Sequence, residues 1–420
     1  MSSEKRDNRV PQPSPTGGGV SRPRPRNTGY SDSGASWVRR TLKAMIPNSK
    51  SPQSDIDLNN ATLRERSRML YMGAPIATSA IKNNRTNIVG TGLILKSNVD
   101  REVLGMSEEE AAAWQRAVER EYALWAGDKR SCDLCGMNNF YAIQQLVCIS
   151  WLMSGDVFVL RRHMPATTLS PYTLRLQLVE ADRVRTPLLN TGSIANYTTG
   201  KNPDNGNMIY DGVEVDDAGA IVAYHIANTY PNDLISTAGE PEVWVRVPAY
   251  GDETGLPNVL HVCDCERPGQ YRGVPLLAPV IEPLLQLRRF TEAELAAAVV
   301  QSFFTAFVKT DGGASDMPYN EVDTDDAIPR GPNDYQMGPG TINTMAPGED
   351  ITFASPTHPQ GTFEPFVRAL SEQIGAAVEV PSDMLLKAYN SSYSAARAAI
   401  LDAWKMFRMR REWLADDLCR

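Results

Sequence analysis

No apolar run in the middle of the 420-residue chain exceeds Leu295–Val300, six residues where a bilayer span takes about 20, so no membrane-embedded role is expected. The first nine residues are polar and charged, which gives no secretory signal. Cysteine is scarce: Cys132, Cys135, Cys148, Cys263, Cys265 and Cys419 are too few to staple a chain of this length, and reduced thiols in a cytosol are the expectation. An excess of basic charge is also missing. Lys and Arg number 42 against 50 Asp and Glu, a net charge of −8. Tight binding to a DNA backbone draws on cations that displace counterions, so a simple DNA clamp is excluded. A surface past which DNA slides is not.

Catalytic signatures are absent too. There is no G-x-x-x-x-G-K-[ST] phosphate loop, no H-E-x-x-H and no G-x-S-x-G. Val89–Leu95 has two glycines but neither the third nor the βαβ setting of a dinucleotide site. The histidines His163, His225, His261 and His358 are scattered. Cys132 and Cys135 could join His261, Cys263 and Cys265 around zinc, but a C-x-x-C beside a C-x-C is poor ligand spacing. Free thiols with no metal and no cofactor are expected instead. Glu180 and Asp182, two apart on a strand, share one face as the metal ligands of a nuclease do, although such carboxylates are more often solvated or paired. A metal-dependent enzyme acting on nucleic acid is the alternative that these residues leave open.

The residues present divide the chain. Residues 1–35 hold five prolines, the run Gly17-Gly18-Gly19, and six basic against three acidic residues, including Arg22-Pro23-Arg24-Pro25-Arg26. Such a segment buries too little to offset its ordering entropy and reads as a disordered basic arm, either a passive tail or one that touches nucleic acid or an acidic neighbour. Leu63, Met69, Leu70 and Ile76 give helical spacing interrupted by Pro75, and Val89–Leu95 reads as a turn feeding a strand. Helices are expected over Glu108–Trp125 and Phe140–Met153, then a strand over Val157–Arg161. Alternation at Leu174, Leu176 and Leu178, with runs at Tyr210–Val215, Ile221–Ile226 and Glu242–Val247, points to antiparallel sheet. The fold class is α+β. A long helix is expected from Leu276 to Phe307, with a greasy end at Phe303, Phe304 and Phe307 suited to assembly.

Residues 310–361 break these patterns: seven prolines, seven glycines, nine acidic residues and a single basic one, Arg330. They form either a disordered segment or a small projecting β-module. Helices over Phe363–Val378 and Ser391–Leu414 follow. On the last, Ile400, Trp404, Phe407 and Leu414 share an apolar face, and Lys405, Arg408, Arg410 and Arg411 crowd the C-terminal part. It is either an ordinary amphipathic helix or a basic one that faces DNA or a neighbouring subunit.

Five strings in consistent order, within about residues 27–418, resemble the lambda-type family of tailed-phage portal proteins. They are Leu63–Arg68 with Asn84–Gly92; His261–Gln270 running on through Arg272-Gly273-Val274-Pro275 and Leu277-Ala278-Pro279; Ala293–Ala298; Pro347-Gly348-Glu349; and Asn390–Arg397. The resemblance implies a ring of probably twelve subunits at one capsid vertex, assembled in the host cytoplasm and enclosing a channel for double-stranded DNA, without catalysis. Its implied partners are the terminase large subunit, the major capsid or scaffold protein and a head-completion adaptor. It implies a portal fold: a wing over 36–275, a first stem helix over 276–309, a clip over 310–361, a second stem helix over 362–378, a tunnel loop over 379–390, and a tunnel helix over 391–420. Members continue beyond this point, so only the start of a crown is expected before Arg420. Lys387, Asn390, Lys405 and Arg408 are the implied channel residues; Asp323, Asp325, Asp326 and Arg330 are the implied clip residues that dock the terminase. Lys387 is the sole cation of the tunnel loop, either a surface lysine over an apolar patch or one that centres DNA without trapping it.

Overall fold

Pro75 splits the first helical stretch. In the computed structural model, which describes residues 40, 48–187, 198–231, 242–302, 306–310, 349–353, 363–389 and 392–419, a π-helical turn (Gln53–Asp57) leads into α1 (Leu58–Gly73) and α2 (Pro75–Ile88). Ala74 between them is extended, as the residue before a proline prefers, and Pro75 occupies the first helical position, where a missing N–H costs nothing. The elements described here all belong to the compact unit Ser51–Arg420. The expected N-terminal arm, 1–35, lies outside the described residues.

The strand expected within Val89–Leu95 does not form; residues 92–100 have no regular structure. Gln144 takes the place of a partner strand: its Oε1 accepts from the Leu93 amide at 2.6 Å and its Nε2 donates to the Leu93 carbonyl at 3.1 Å. The short α3 (Arg101–Leu104) is followed by α4 (Glu108–Gly127), opened by a capping box in which Ser107 and Glu110 satisfy each other's backbone amides. After α5 (Lys129–Cys132) comes α6 (Phe140–Ser154), capped by Asn139.

Eight strands follow: β1 (Asp156–His163), β2 (Leu174–Glu180), β3 (Thr199–Lys201), β4 (Met208–Tyr210), β5 (Val213–Val215), β6 (Ile221–Ala227), β7 (Trp244–Pro248) and β8 (Val259–Cys263). They make two antiparallel sheets, ordered β2-β1-β8 and β3-β4-β5-β6-β7. The single strand expected over Tyr210–Val215 is a tight hairpin. Asp211 (φ 44°) and Gly212 (φ 87°) both sit in left-handed backbone, the requirement of the two-residue turn that Asp-Gly favours.

β1 is buried on both faces. Val157 and Val159 point into a core built with α1, α2, α6 and the C-terminal helices, while Phe158 and Leu160 alternate into a second core against the five-stranded sheet. The three-stranded sheet is therefore the middle layer of an α+β unit. Where the chain enters it, two backbones touch: a Cβ on Gly273 would lie 1.9 Å from the Gly155 carbonyl oxygen, so neither position admits a side chain.

A 3₁₀ turn (Ala278–Val280) opens α7 (Ile281–Ser302). The expected helix from Leu276 to Phe307 is overlong at both ends. Pro275 and Pro279 hold its start in a tighter turn, and Phe307 lies in β9 (Ala306–Thr310), whose aromatic and β-branched residues favour strand. β9 pairs antiparallel with β10 (Glu349–Phe353) across most of the expected clip. The chain ends with α8 (Phe363–Ala377), α9 (Ser382–Leu386) inside the expected tunnel loop, and α10 (Tyr393–Leu418), which runs four residues past the predicted Leu414. No described helix is long and apolar enough to cross a membrane.

Candidate functional site: the loop before the last helix

The end of α8 is a tight reversal. The Val378 amide donates to Ile374 O at 3.0 Å and the Val380 amide to Gly375 O at 2.9 Å, with Glu379 in left-handed backbone (φ 57°). A Cβ on Gly375 would meet the Val380 carbonyl oxygen at 2.6 Å, so the reversal needs glycine there. Pro381 cannot continue a helix but can precede one, and its carbonyl accepts from Met384 and Leu385 as α9 begins. The far end of α9 is capped by α2: Asn83 Nδ2 donates to Met384 O at 3.1 Å and Ser79 Oγ to Leu385 O at 2.7 Å. Lys387 follows in left-handed backbone (φ 56°), and its Nζ donates to Asn83 Oδ1 at 2.5 Å. Lys387, the sole cation of the expected tunnel loop, is thus also an anchor to α2.

The cations of α10 separate into two groups. Arg410 is buried: Nη1 donates to Asn84 Oδ1 at 2.7 Å and Nη2 to Glu379 Oε2 at 2.8 Å. Arg411 donates to the Ile88 and Asn87 carbonyls at 2.7 and 2.6 Å, closing the C-terminus of α2, and stacks over Trp404. Lys405 and Arg408 face outward, Lys405 beside Asp402 at 3.1 Å. The buried stripe is Ala403, Met406, Phe407, Arg410, Leu414 and Leu418, rotated from the expected Ile400–Trp404–Phe407–Leu414 face; Trp404 is 38% exposed. An exposed side flanking that stripe carries Tyr393, Arg397, Leu401, Trp404 and Arg408 at helical spacing. Cations interleaved with apolar side chains suit contact with phosphates or with another protein surface.

Asn390 and the clip candidates Asp323, Asp325, Asp326 and Arg330 lie outside the described residues. The acid pair proposed as a nuclease centre is engaged by arginines. Arg64 Nε lies 3.0 Å from Asp182 Oδ1, and Arg68 bridges Glu180 and Asp182. They border a larger buried network around Arg272, whose Nε donates to Asp156 at 2.5 Å and whose Nη atoms reach Asp211 and the carbonyls of Val184 and Ala181. Burial opposes ionisation of Asp156, yet the Arg272 charge and hydrogen bonds, with His261 Nε2 3.5 Å away, hold its carboxyl below the usual range. Asp57, beside the same charges, goes the other way: burial first, then the Asp211 charge, push it up to about 7. Among the described residues no three His, Cys, Asp or Glu side chains gather as metal ligands. The six cysteines are free thiols.

Sequence reasoning passed over Ser79 and Asn83, and met Asn84 only as the first residue of a matched string. The available signal was a run of small polar residues on the inward face of a helix that reads Ala77, Ala80, Ile81 and Ile88 as its core.

The family model for phage portal proteins of the lambda family matches residues 39–411. The sequence is 23% identical over 399 residues to portal protein B of Escherichia phage lambda, covering 91% of this chain and 71% of that protein. It is 25% identical over 362 residues to a probable portal protein of Halomonas phage phiHAP-1, covering 86% and 64%. To the portal protein of Escherichia phage N15 it is 22% identical over 405 residues, covering 89% and 70%. Among solved structures, a chain from the neck of a native gene transfer agent particle aligns with a TM-score of 0.46 and 12% identity, covering 86% of this chain and 82% of that one.

Proposed function

The chain belongs to the lambda family of phage portal proteins, and from that premise we propose that its role at the capsid is played as a twelve-membered ring through which double-stranded DNA is packaged and ejected. The family is structural, and catalysis is no part of the proposed role. Within the ring, 379–390 is the tunnel loop and α10 the tunnel helix, α7 and α8 are the stem, and 310–361 is the clip that meets the terminase large subunit and the head-completion adaptor. The capsid or scaffold protein surrounds the wing. Assembly takes place in the host cytoplasm, before the ring is built into the virion.

The observation that carries this reading is the way the loop and last helix are held. Arg410, Arg411 and Lys387 fasten both to α2, while Arg397, Lys405 and Arg408 remain on the outside of α10. A conduit needs a rigid wall with few cations, because each neutralised phosphate adds affinity that would hold the cargo. The net charge of −8 per copy resides in 310–361, with nine acidic residues against one basic, so repeated around a ring it would repel the duplex at the clip, while the rest of the chain is balanced in charge.

Native mass spectrometry with negative-stain imaging tests the ring. Closed rings of twelve are expected at micromolar concentration and moderate salt, and a monodisperse monomer overturns the reading. In a phage complementation assay, Lys387→Asp is expected to keep the ring and impair packaging. Normal packaging by that variant removes Lys387 from the channel wall and leaves the ring standing.

A further inference from the structure

Four of the six thiols are unsuited to chemistry or stand apart. Burial pushes Cys132 up to about 11 and Cys148 up to about 12, while Cys135, in the turn after α5, and Cys419, after the end of α10, are exposed thiols each without a second sulfur beside it. Cys263 and Cys265 differ. Cys263 is the last residue of β8, paired with Asp156 of β1, and Cys265 follows two residues later. Alternate residues of an extended chain share a face, and here the two Sγ atoms lie 3.7 Å apart. Cys265 is exposed and Cys263 is half-buried behind it.

The loop that these thiols open is braced at its other end. Gln270 Oε1 accepts from the Glu266 and Arg267 amides at 3.1 and 3.2 Å, and its Nε2 donates to Arg272 O at 2.8 Å. Gln53 Nε2 donates to Gly269 O at 2.5 Å. The thiol–thiol hydrogen bond separates the pair: it raises Cys263, with burial adding to the rise, and lowers Cys265 against its own burial. The exposed Cys265 sulfur is the one that a dissolved disulfide can reach, and Cys263 stands behind it within 3.7 Å, placed to resolve a mixed disulfide.

We infer that Cys263 and Cys265 are an exchange-active dithiol that closes to an intramolecular disulfide when it meets a low-molecular-weight disulfide. The Cys265 thiolate attacks one sulfur of the small disulfide, forming a mixed disulfide and expelling one small thiolate, which takes up a proton. Cys263 then gives its proton to solvent and attacks Cys265 Sγ, expelling the second small thiolate. Two cysteine thiols are oxidised and one small disulfide is reduced to two thiols. Side-chain rotation must bring the sulfurs to about 2.05 Å; Cys265 lies two residues past the end of β8, and even a fully extended step of two residues spans only about 6.6 Å between Cα atoms, inside the range disulfides span. The pair is a dithiol in a reducing compartment and a disulfide outside it. Once closed, it fastens the loop to the end of β8 just ahead of the backbone that delivers Arg272.

The test uses the 420-residue chain, reduced, desalted and incubated with oxidised glutathione, followed by intact mass and peptide mapping. The native sequence is expected to lose two hydrogens, with the bridge in the peptide holding Cys263 and Cys265. Cys263→Ser is expected to stop as a single glutathione adduct on Cys265, and Cys265→Ser to react at that peptide at least about tenfold more slowly. A stable glutathione adduct on Cys265 of the native sequence overturns the inference. So does a pair that stays reduced, or a bridge made by other cysteines.

Discussion

Arg272 and Arg410 are both buried, and they are held by opposite means. Arg272 is fully inaccessible and meets two carboxylates, Asp156 and Asp211, while its remaining donors reach backbone carbonyls; those acids raise its affinity for its proton against the effect of burial. Arg410 has one neutral partner, Asn84, and one half-exposed acid, Glu379, and burial lowers its affinity for the proton. The first joins β1, the β4–β5 hairpin and the loop after β8, segments far apart in sequence. The second fastens one helix to one loop. A buried charge that several acids and carbonyls surround is a keystone of the fold, whereas one with a single outward acid is a latch.

Removing the keystone breaks this contrast most severely. Arg272→Met leaves Asp156 and Asp211 buried without their cation, and a loss of about 3–5 kcal/mol in unfolding free energy is expected from denaturant titration. A loss below about 1 kcal/mol would show that the network does not hold the sheets together. Removing the latch costs less. Arg410→Gln is expected to lose about 1–3 kcal/mol and, more tellingly, to raise amide hydrogen exchange in 379–389 while β1 stays protected. Equal deprotection of β1 would make Arg410 a second keystone.

The smallest effect is a slope in pH rather than a drop. Asp57 is raised from 3.8 to about 7 in the folded chain, so the folded state binds more protons between those values. Its contribution is present in full below the unfolded value and is lost as pH climbs through about 7. Asp57→Asn is therefore expected to flatten the decline of stability with rising pH across that window, read from denaturation midpoints. A variant that declines as steeply as the native chain would place the titration elsewhere.

Much of the α+β order was legible. Helices at Glu108, Phe140 and Phe363 start where predicted, because Ser107 and Asn139 are strong caps and the apolar spacing is regular. The failures share a cause: a contact distant in sequence replaced the local preference. Gln144 took the place of a strand beside Leu93, and the Asp211-Gly212 turn was overlooked inside an alternating run. At the candidate site, Arg410 and Arg411 carry the same charge as Lys405 and Arg408 and lie within two turns of them. Only the rotation of the buried stripe separates inward from outward, and apolar spacing read from Ile400 and Trp404 misplaced it.

The pairing of β9 with β10 has a bearing on how such chains diversify. Thr310 faces Glu349 and Ala306 faces Phe353, so the ends of the intervening segment are pinned one strand spacing apart, about 4.8 Å. The entropy of closing a loop grows only with the logarithm of its length. A segment hung from such a fixed doorway can be lengthened, shortened or exchanged while α7 and α8 feel little of it.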